Sequence, residues 1–181
     1  MQNPPLTLIA FIGLPGSGKS VAASILEKQG FEVIRLGDLT DIKLKEKGLE
    51  RTSEHEQLIR EEIRLHEGMD AYAKWCEIEI LKRENSKKIV LEGVRSWEEC
   101  EYLKGKFPHL LFVGIYSPPS TRYQRLKERK ERPLTELEAR RRDVFEIDNL
   151  HMGPTLALPD QLIVNTGNMA EFEQSILGLL S

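Results

Sequence analysis

The chain has 181 residues and a mass of 20.8 kDa, a length that fits one domain with room for a small insert. Apolar residues make up 40% and charged residues 30%, which supports a packed core and excludes disorder throughout. The 26 basic and 29 acidic side chains leave a formal net charge of −3, so no global charge marks a nucleic-acid or membrane-surface protein. Cys76 and Cys100 form no CxxC pair, which excludes a zinc knuckle or dithiol motif and favours two idle thiols in a reducing compartment. No basic leader and no apolar run of spanning length occurs, so the expectation is a cytoplasmic protein with no membrane partner.

Leu6 to Ile12 is a short, nearly unbroken apolar run and reads as a buried strand. A helix is expected over Val21–Gln29, closed by Gly30. A second strand covers Phe31–Leu36, and Asp38–Lys47 reads as a helix stopped by Gly48. Thr52 to about Glu84 is helical in composition, with one break near Gly68. Lys88–Leu91 is the third strand, Trp97–Lys106 a helix, and Leu110–Tyr116 the fourth strand. Pro118-Pro119 opens a helix running to about Lys130, and a polar, arginine-rich segment follows. Gln161–Val164 is the fifth strand and Met169–Leu180 a closing helix. Strands alternating with helices predict an α/β protein whose five-stranded parallel sheet is sandwiched by helices. Residues 1–181 read as one domain. The stretch at about 38–85 is longer than a crossover needs. Either it forms a small helical insert closing over a substrate, or it packs as two plain helices on the sheet.

The strongest motif is Gly13-Leu14-Pro15-Gly16-Ser17-Gly18-Lys19-Ser20, which fits G-x-x-x-x-G-K-[ST] at every fixed position, between a strand and a helix. Its glycines free backbone N–H groups to face an anion, and the following helix N-terminus adds to them. Lys19 supplies a point charge to β/γ-phosphates, and the Ser20 hydroxyl is a magnesium ligand. ATP and Mg²⁺ are the implied cofactors. A second acid near the metal is expected at the end of an apolar strand, and Glu92, after Lys88–Leu91, is the candidate; the competing role is a surface carboxylate.

Arg95, in Glu92-Gly93-Val94-Arg95, suits a second anion or pairs with a local Glu. Asp38 follows the second strand, where open α/β sheets bind ligands. It either orients or deprotonates an acceptor hydroxyl, or caps the next helix. Arg122, Arg125, Arg129 and Arg132 step by three, four and three, one face of a continuous helix, and Arg140, Arg141 and Arg142 follow. The cluster suits polyphosphate charge; the alternative is a solvated face paired with Glu128, Glu131, Glu136 and Glu138. Asn165-Thr166-Gly167 lies on the ligand side after the fifth strand, as a base contact or a plain turn. His55, His66, His109 and His151 have no metal-ligand spacing. Trp75 and Trp97 are expected in packing.

Taken together, these residues resemble the nucleoside/nucleotide-kinase group of P-loop NTPases, and most closely the archaeal UPF0200 family of adenylate-kinase-related, dephospho-CoA-kinase-like proteins. Residues 13–20 carry the likeness, with Leu36-Gly37-Asp38, Glu92 to Ser96, Ser117-Pro118-Pro119, Arg122 to Arg125, Arg142-Asp143, and Asp160 through Ile163 to Asn165. The resemblance implies strand order 2-3-1-4-5 and a short lid at about 130–145. It implies that Arg125 and Arg129 grip ATP, that Arg140 to Arg142 lie in the lid or its returning helix, and that Gly37, Asp38 and Arg95 line the acceptor site. Asp41 stands where this pattern has an arginine, and Glu92 where many relatives carry Asp. The expected activity is phosphoryl transfer from a nucleoside triphosphate to a small-molecule acceptor, a nucleotide first. Lys19, Asp38, Arg95 and Arg129 are expected to act in catalysis, and Ser20 and Glu92 at the metal. Two other classes stand beside it: an ATP-binding switch, which the Asp41 departure keeps open, and an RNA-binding protein using the arginine face.

Overall fold

The computed structural model describes residues 6–83 and 86–180. Among them five strands form one parallel sheet: β1 (Thr7–Ile12), β2 (Glu32–Arg35), β3 (Lys88–Glu92), β4 (Leu111–Tyr116) and β5 (Gln161–Val164), in the order β2-β3-β1-β4-β5. The helices between them are α1 (Lys19–Lys28), α2 (Asp38–Glu46), α3 (Ser53–Glu67), α4 (Ala71–Leu81), α5 (Trp97–Lys106), α6 (Pro119–Glu128), α7 (Glu136–Asp148), α8 (Met152–Ala157) and α9 (Met169–Leu177). This is the α/β P-loop arrangement expected from the sequence, in the expected strand order.

The central strand β1 is buried from Leu8 to Ile12 because both faces are covered, and such a strand needs continuous apolar sequence rather than alternation. Its two faces feed two cores. Leu8, Ala10 and Ile12 pack with Ile34, Leu36, Ile89, Leu91, Tyr72 and Cys76. Ile9 and Phe11 pack with Ala22, Leu26, Val113, Ile115, Phe172 and Ile176. The apolar faces of α2, α3 and α4 join the first of these cores through Leu44, Ile59, Ile63 and Ile80. The break near Gly68 is real: Gly68 takes φ +96°, a conformation open to glycine, between α3 and α4. The helix expected to reach Glu84 ends at Leu81; residues 84 and 85 lie outside the described residues.

Two differences from the expectation concern the arginine region. The helix opened by Pro119 ends at Glu128, not at Lys130, and Arg129 is already extended. Pro133 disfavours helix in the residue before it, and Arg132 turns to φ +51° while Leu134 N–H returns to Leu126 O at 3.1 Å. Arg122, Arg125, Arg129 and Arg132 therefore do not share one helical face. The arginine-rich stretch beyond is itself helical. Thr135 and Glu138 form a reciprocal capping box that starts α7, so Arg140, Arg141 and Arg142 sit on a helix. A short α8 follows, and the closing helix ends at Leu177 in a 3₁₀ turn, Gly178–Leu180.

Cys76 and Cys100 are both free and buried, as expected of idle thiols, and burial pushes both up to about 12. Trp75 and Trp97 are partly buried against the same core. His151 pairs with Glu98 at 2.7 Å on the surface. Among the described residues no helix is long and apolar enough to cross a membrane.

Candidate active site at the carboxyl ends of the strands

The strand order brings five loops into one row. In register, Glu92 lies beside Arg35 on one side and Phe11 on the other. Asn165 N–H donates to Tyr116 O at 2.7 Å at the far end. Asp38, Glu92, the Gly13–Ser20 loop, Ser117 and Asn165 thus line the same edge, the ligand side of an open parallel sheet.

Two glycines of the loop are required by close approach. A Cβ on Gly13 would stand 2.5 Å from Ile115 O, and one on Gly18 would stand 2.5 Å from Asn165 Nδ2, with φ at +148° and +112°. The Lys19 ammonium donates to Gly13 O at 2.5 Å and to Leu14 O at 3.1 Å, folded back inside the loop. Burial lowers its pKa from 10.5 to about 8; Glu146 opposes that shift, Arg95 and Arg142 add to it, and Glu92 opposes it.

Ser20 Oγ donates directly to Glu92 Oε1 in a short hydrogen bond. The two residues are 72 positions apart, and β1–β3 pairing brings them together. A hydroxyl and a carboxylate are the hard oxygen donors that magnesium takes alongside phosphate and water oxygens. The pair fits Mg²⁺, and bound there it would supply charge neutralisation between phosphates. Glu92 also faces Arg35 at 3.8 Å, and Arg35 lies 4.0 Å from Asp38.

Asp38 is half-buried at the start of α2. Burial raises its carboxyl above the usual range, against the pull of Arg35. No side chain caps α2, so Asp38 does not serve as its N-cap. Asp41 pairs with Arg51 at 3.1 Å, and Arg51 also donates to Glu56 at 2.9 Å. The negative charge at position 41 is compensated within the fold.

Arg95 precedes a reciprocal capping box of Ser96 and Glu99, and Arg95 N–H donates to Glu99 Oε2 at 2.7 Å. Its guanidinium reaches Glu146 Oε1 at 3.3 Å, where Arg142 Nε also donates at 3.1 Å. Arg129 is partly buried, and burial together with Arg142 and Arg132 lowers its pKa. It bonds to the carbonyl of Arg132, whose own guanidinium donates to Glu56 Oε2 at 2.8 Å.

The remaining arginines hold the loop from behind. Arg122 is 3% exposed. It makes a bidentate pair with Asp143, at 2.9 and 2.6 Å, and donates to Pro15 O at 3.0 Å and Ser117 O at 3.1 Å. Arg125 donates to Ser117 Oγ at 3.0 Å, to Asn165 O and Oδ1 at 3.2 and 3.3 Å, and to Gly16 O at 3.4 Å. The buried Asn165 amide donates to Ser17 O at 2.8 Å. Arg125 and Asn165 therefore brace the loop in this structure, with their polar atoms engaged by backbone carbonyls, by Ser117 Oγ and by each other.

Lys19, Ser20, Glu92, Arg95 and Asp38 line the front of the row, while Arg122 and Asp143 lie buried behind. The sequence reading missed Glu56 and Glu146, the carboxylates that organise the arginines. Their signal was present: Glu56 with Arg60, and Arg142 with Glu146, are i,i+4 pairs. The acids proposed as partners, Glu128, Glu131, Glu136 and Glu138, are exposed, and Glu138 serves the α7 cap.

Comparison with known proteins agrees with this architecture. A family model described as an AAA domain matches residues 9–146. A solved shikimate kinase from Acinetobacter baumannii, in complex with shikimate, superposes with a TM-score of 0.57 over 98% of this chain and 94% of its own, at 18% identity. At that identity the likeness is one of fold: the P-loop kinase-like fold. A UPF0200 protein of Aeropyrum pernix is 37% identical over 175 residues, covering 96% of this chain and 91% of its own. Another, from Methanothrix thermoacetophila, is 33% identical over 177 residues, 94% of each. With the glycine loop, the strand order and near full-length identity in agreement, the chain belongs to the UPF0200 family.

Proposed function

We propose that the protein is a cytoplasmic, ATP- and Mg²⁺-dependent phosphotransferase acting on a small acceptor, a nucleotide first among the candidates. The observation that carries this reading is the contact of Ser20 Oγ with Glu92 Oε1 next to the part-buried Lys19, whose ammonium is folded into the loop. It joins a phosphate-binding charge to a hard-oxygen pair suited to a metal at one end of the sheet. The loop amides and Lys19 hold the phosphates. Ser20 and Glu92 hold the metal, which supplies charge neutralisation. Asp38, with its pKa raised, orients or accepts a proton from the acceptor hydroxyl. Arg95 and Arg129 meet the anionic groups. Catalysis of this type is mainly positioning and electrostatics in a site that excludes water.

The pairing of Asp41 with Arg51 removes an uncompensated negative charge from the acceptor side. That favours a phosphotransferase over an ATP-binding switch. The test is ADP formation from ATP·Mg²⁺ against a panel of AMP, other nucleoside monophosphates, nucleosides and dephospho-CoA, with Lys19→Ala as the blank. A rate that saturates with one acceptor and vanishes in the variant supports the reading. Equal turnover by the variant, or a slow rate indifferent to every acceptor, overturns it.

A further inference from the structure

The reaction above has no use for one of the buried carboxylates that organise the arginines. Glu146, on α7, has a side chain only 4% exposed. Its Oε1 accepts from Arg95 Nη1 at 3.3 Å and from Arg142 Nε at 3.1 Å. The two arginines come from different parts of the fold, one from the loop after β3 and the other from the same helix as Glu146. Their side chains remain 29% and 36% exposed. Each gives Glu146 one nitrogen, so further guanidinium N–H groups remain for other acceptors. Lys19 lies within the same field: among its charge interactions, that with Glu146 is the largest.

A buried carboxylate beside a phosphate-binding lysine is electrostatically unfavourable for binding phosphate, because it repels the ligand at short range in a poorly screened setting. Its compensation lies in geometry. Without it, two guanidinium groups and an ammonium would repel one another around the same point. With it, Arg95 is held next to Arg142 on one carboxylate oxygen.

We propose that Glu146 is a positioning residue: it gathers Arg95 and Arg142 at one point and yields their guanidinium groups to the oxygens of a polyphosphate ligand. The proposal rests on the phosphoryl-transfer reading. The carboxylate keeps the spacing that the anionic phosphoryl oxygens require, and the oxygens replace it as acceptor. A mere helix-stabilising ion pair would instead contribute to stability and leave the affinity of the site for anions untouched or weakened on removal.

Glu146→Gln separates these roles, since it keeps the shape and the acceptor oxygen and removes the charge. Binding of inorganic tripolyphosphate with Mg²⁺ is measured by calorimetry for the full chain, with thermal melting alongside. ADP formation from ATP·Mg²⁺ with water as acceptor gives the rate. Removing the repelling charge is expected to tighten tripolyphosphate binding about 3–10-fold. A neutral amide oxygen holds the two guanidinium groups less firmly than a carboxylate, and the looser placement is expected to lower the ADP rate at least about tenfold. Weaker or unchanged tripolyphosphate binding, or an unchanged rate, overturns the positioning role. If Glu146→Gln does not fold, Glu146→Asp keeps the charge on a shorter side chain. There the rate is expected to fall with affinity unchanged, and a wild-type rate overturns the proposal. Lys19→Ala is run in parallel: tripolyphosphate binding that survives it unchanged refutes the phosphoryl-transfer reading itself, independently of Glu146.

Discussion

The pair that most directly couples fold to site is Arg122–Asp143, and Asp143→Ala is the perturbation that exposes it. Asp143 accepts from Arg122 at 2.9 and 2.6 Å and from Tyr123 Oη at 2.9 Å, with side-chain exposures of 3% for Arg122 and 8% for Asp143. Removing the carboxylate leaves a buried guanidinium with only the carbonyls of Pro15 and Ser117 as acceptors. Breaking a buried pair from one side costs about 3–5 kcal/mol, because the partner's desolvation is no longer offset. At roughly 2–4 °C per kcal/mol for a chain of this size, the melting temperature should fall by about 6–20 °C. Arg122→Met with Asp143→Ala should recover much of the loss, since no uncompensated charge remains. Urea or thermal unfolding of the single and double variants measures both numbers. A loss below about 1 kcal/mol in Asp143→Ala would refute the reasoning, because that is the scale of an exposed pair. The same variant should loosen the glycine loop through Pro15, so nucleotide affinity is expected to fall with stability.

Further expectations concern the loop, the link to α3 and the thiols. Gly18→Ala places a Cβ 2.5 Å from the Asn165 amide at φ +112°; nucleotide binding should be lost and about 1–3 kcal/mol of stability with it, as calorimetry and melting together would show. For Glu56, burial opposes ionisation, yet hydrogen bonds from Arg132 and Arg51 prevail and hold its carboxyl below the ordinary 4.5. A depressed folded pKa contributes stability above the unfolded value and loses it as pH falls through the folded one. The stability gap between wild type and Glu56→Gln should therefore be full at pH 6–7 and close as pH drops below about 4.3, with a gap constant down to acid pH as the contrary result. Cys76 and Cys100, pushed up to about 12 by burial, should resist a thiol reagent in the native protein and react at once after denaturation. Rapid native labelling would contradict their placement.

Legibility in the sequence followed the range of the interactions. Residues 13–20 were readable because a single contiguous loop contains the glycines, the lysine and the hydroxyl. The inner strands β1, β3 and β4 were readable because both of their faces are buried, so apolar runs stand out. Glu92 was readable as the acid after an apolar strand, although its contact with Ser20 spans 72 positions. The α7 helix was harder. Its sequence ELEARRRDVFEID is polar, and its buried positions Ala139, Asp143 and Glu146 include two acids that a hydrophobic pattern discounts.

The arginines show where local reading ends. A spacing of three, four and three implies one face only if the helix continues, and the chain turns at Arg129 and Arg132. Which arginine is buried, which braces the loop and which faces the cleft depends on carboxylates from other elements: Asp143 for Arg122, Glu146 for Arg95 and Arg142, Glu56 for Arg51, Arg60 and Arg132. A charged side chain takes its role from the groups that surround it after folding, since burial and pairing set both its cost and its reach. The sequence by itself determined the α/β class, the glycine-rich loop and the acid that ends the third strand, because each is encoded in a contiguous run. Only the tertiary structure decided the division of labour among the arginines and the place of Glu56 and Glu146, because those contacts join residues far apart in the chain.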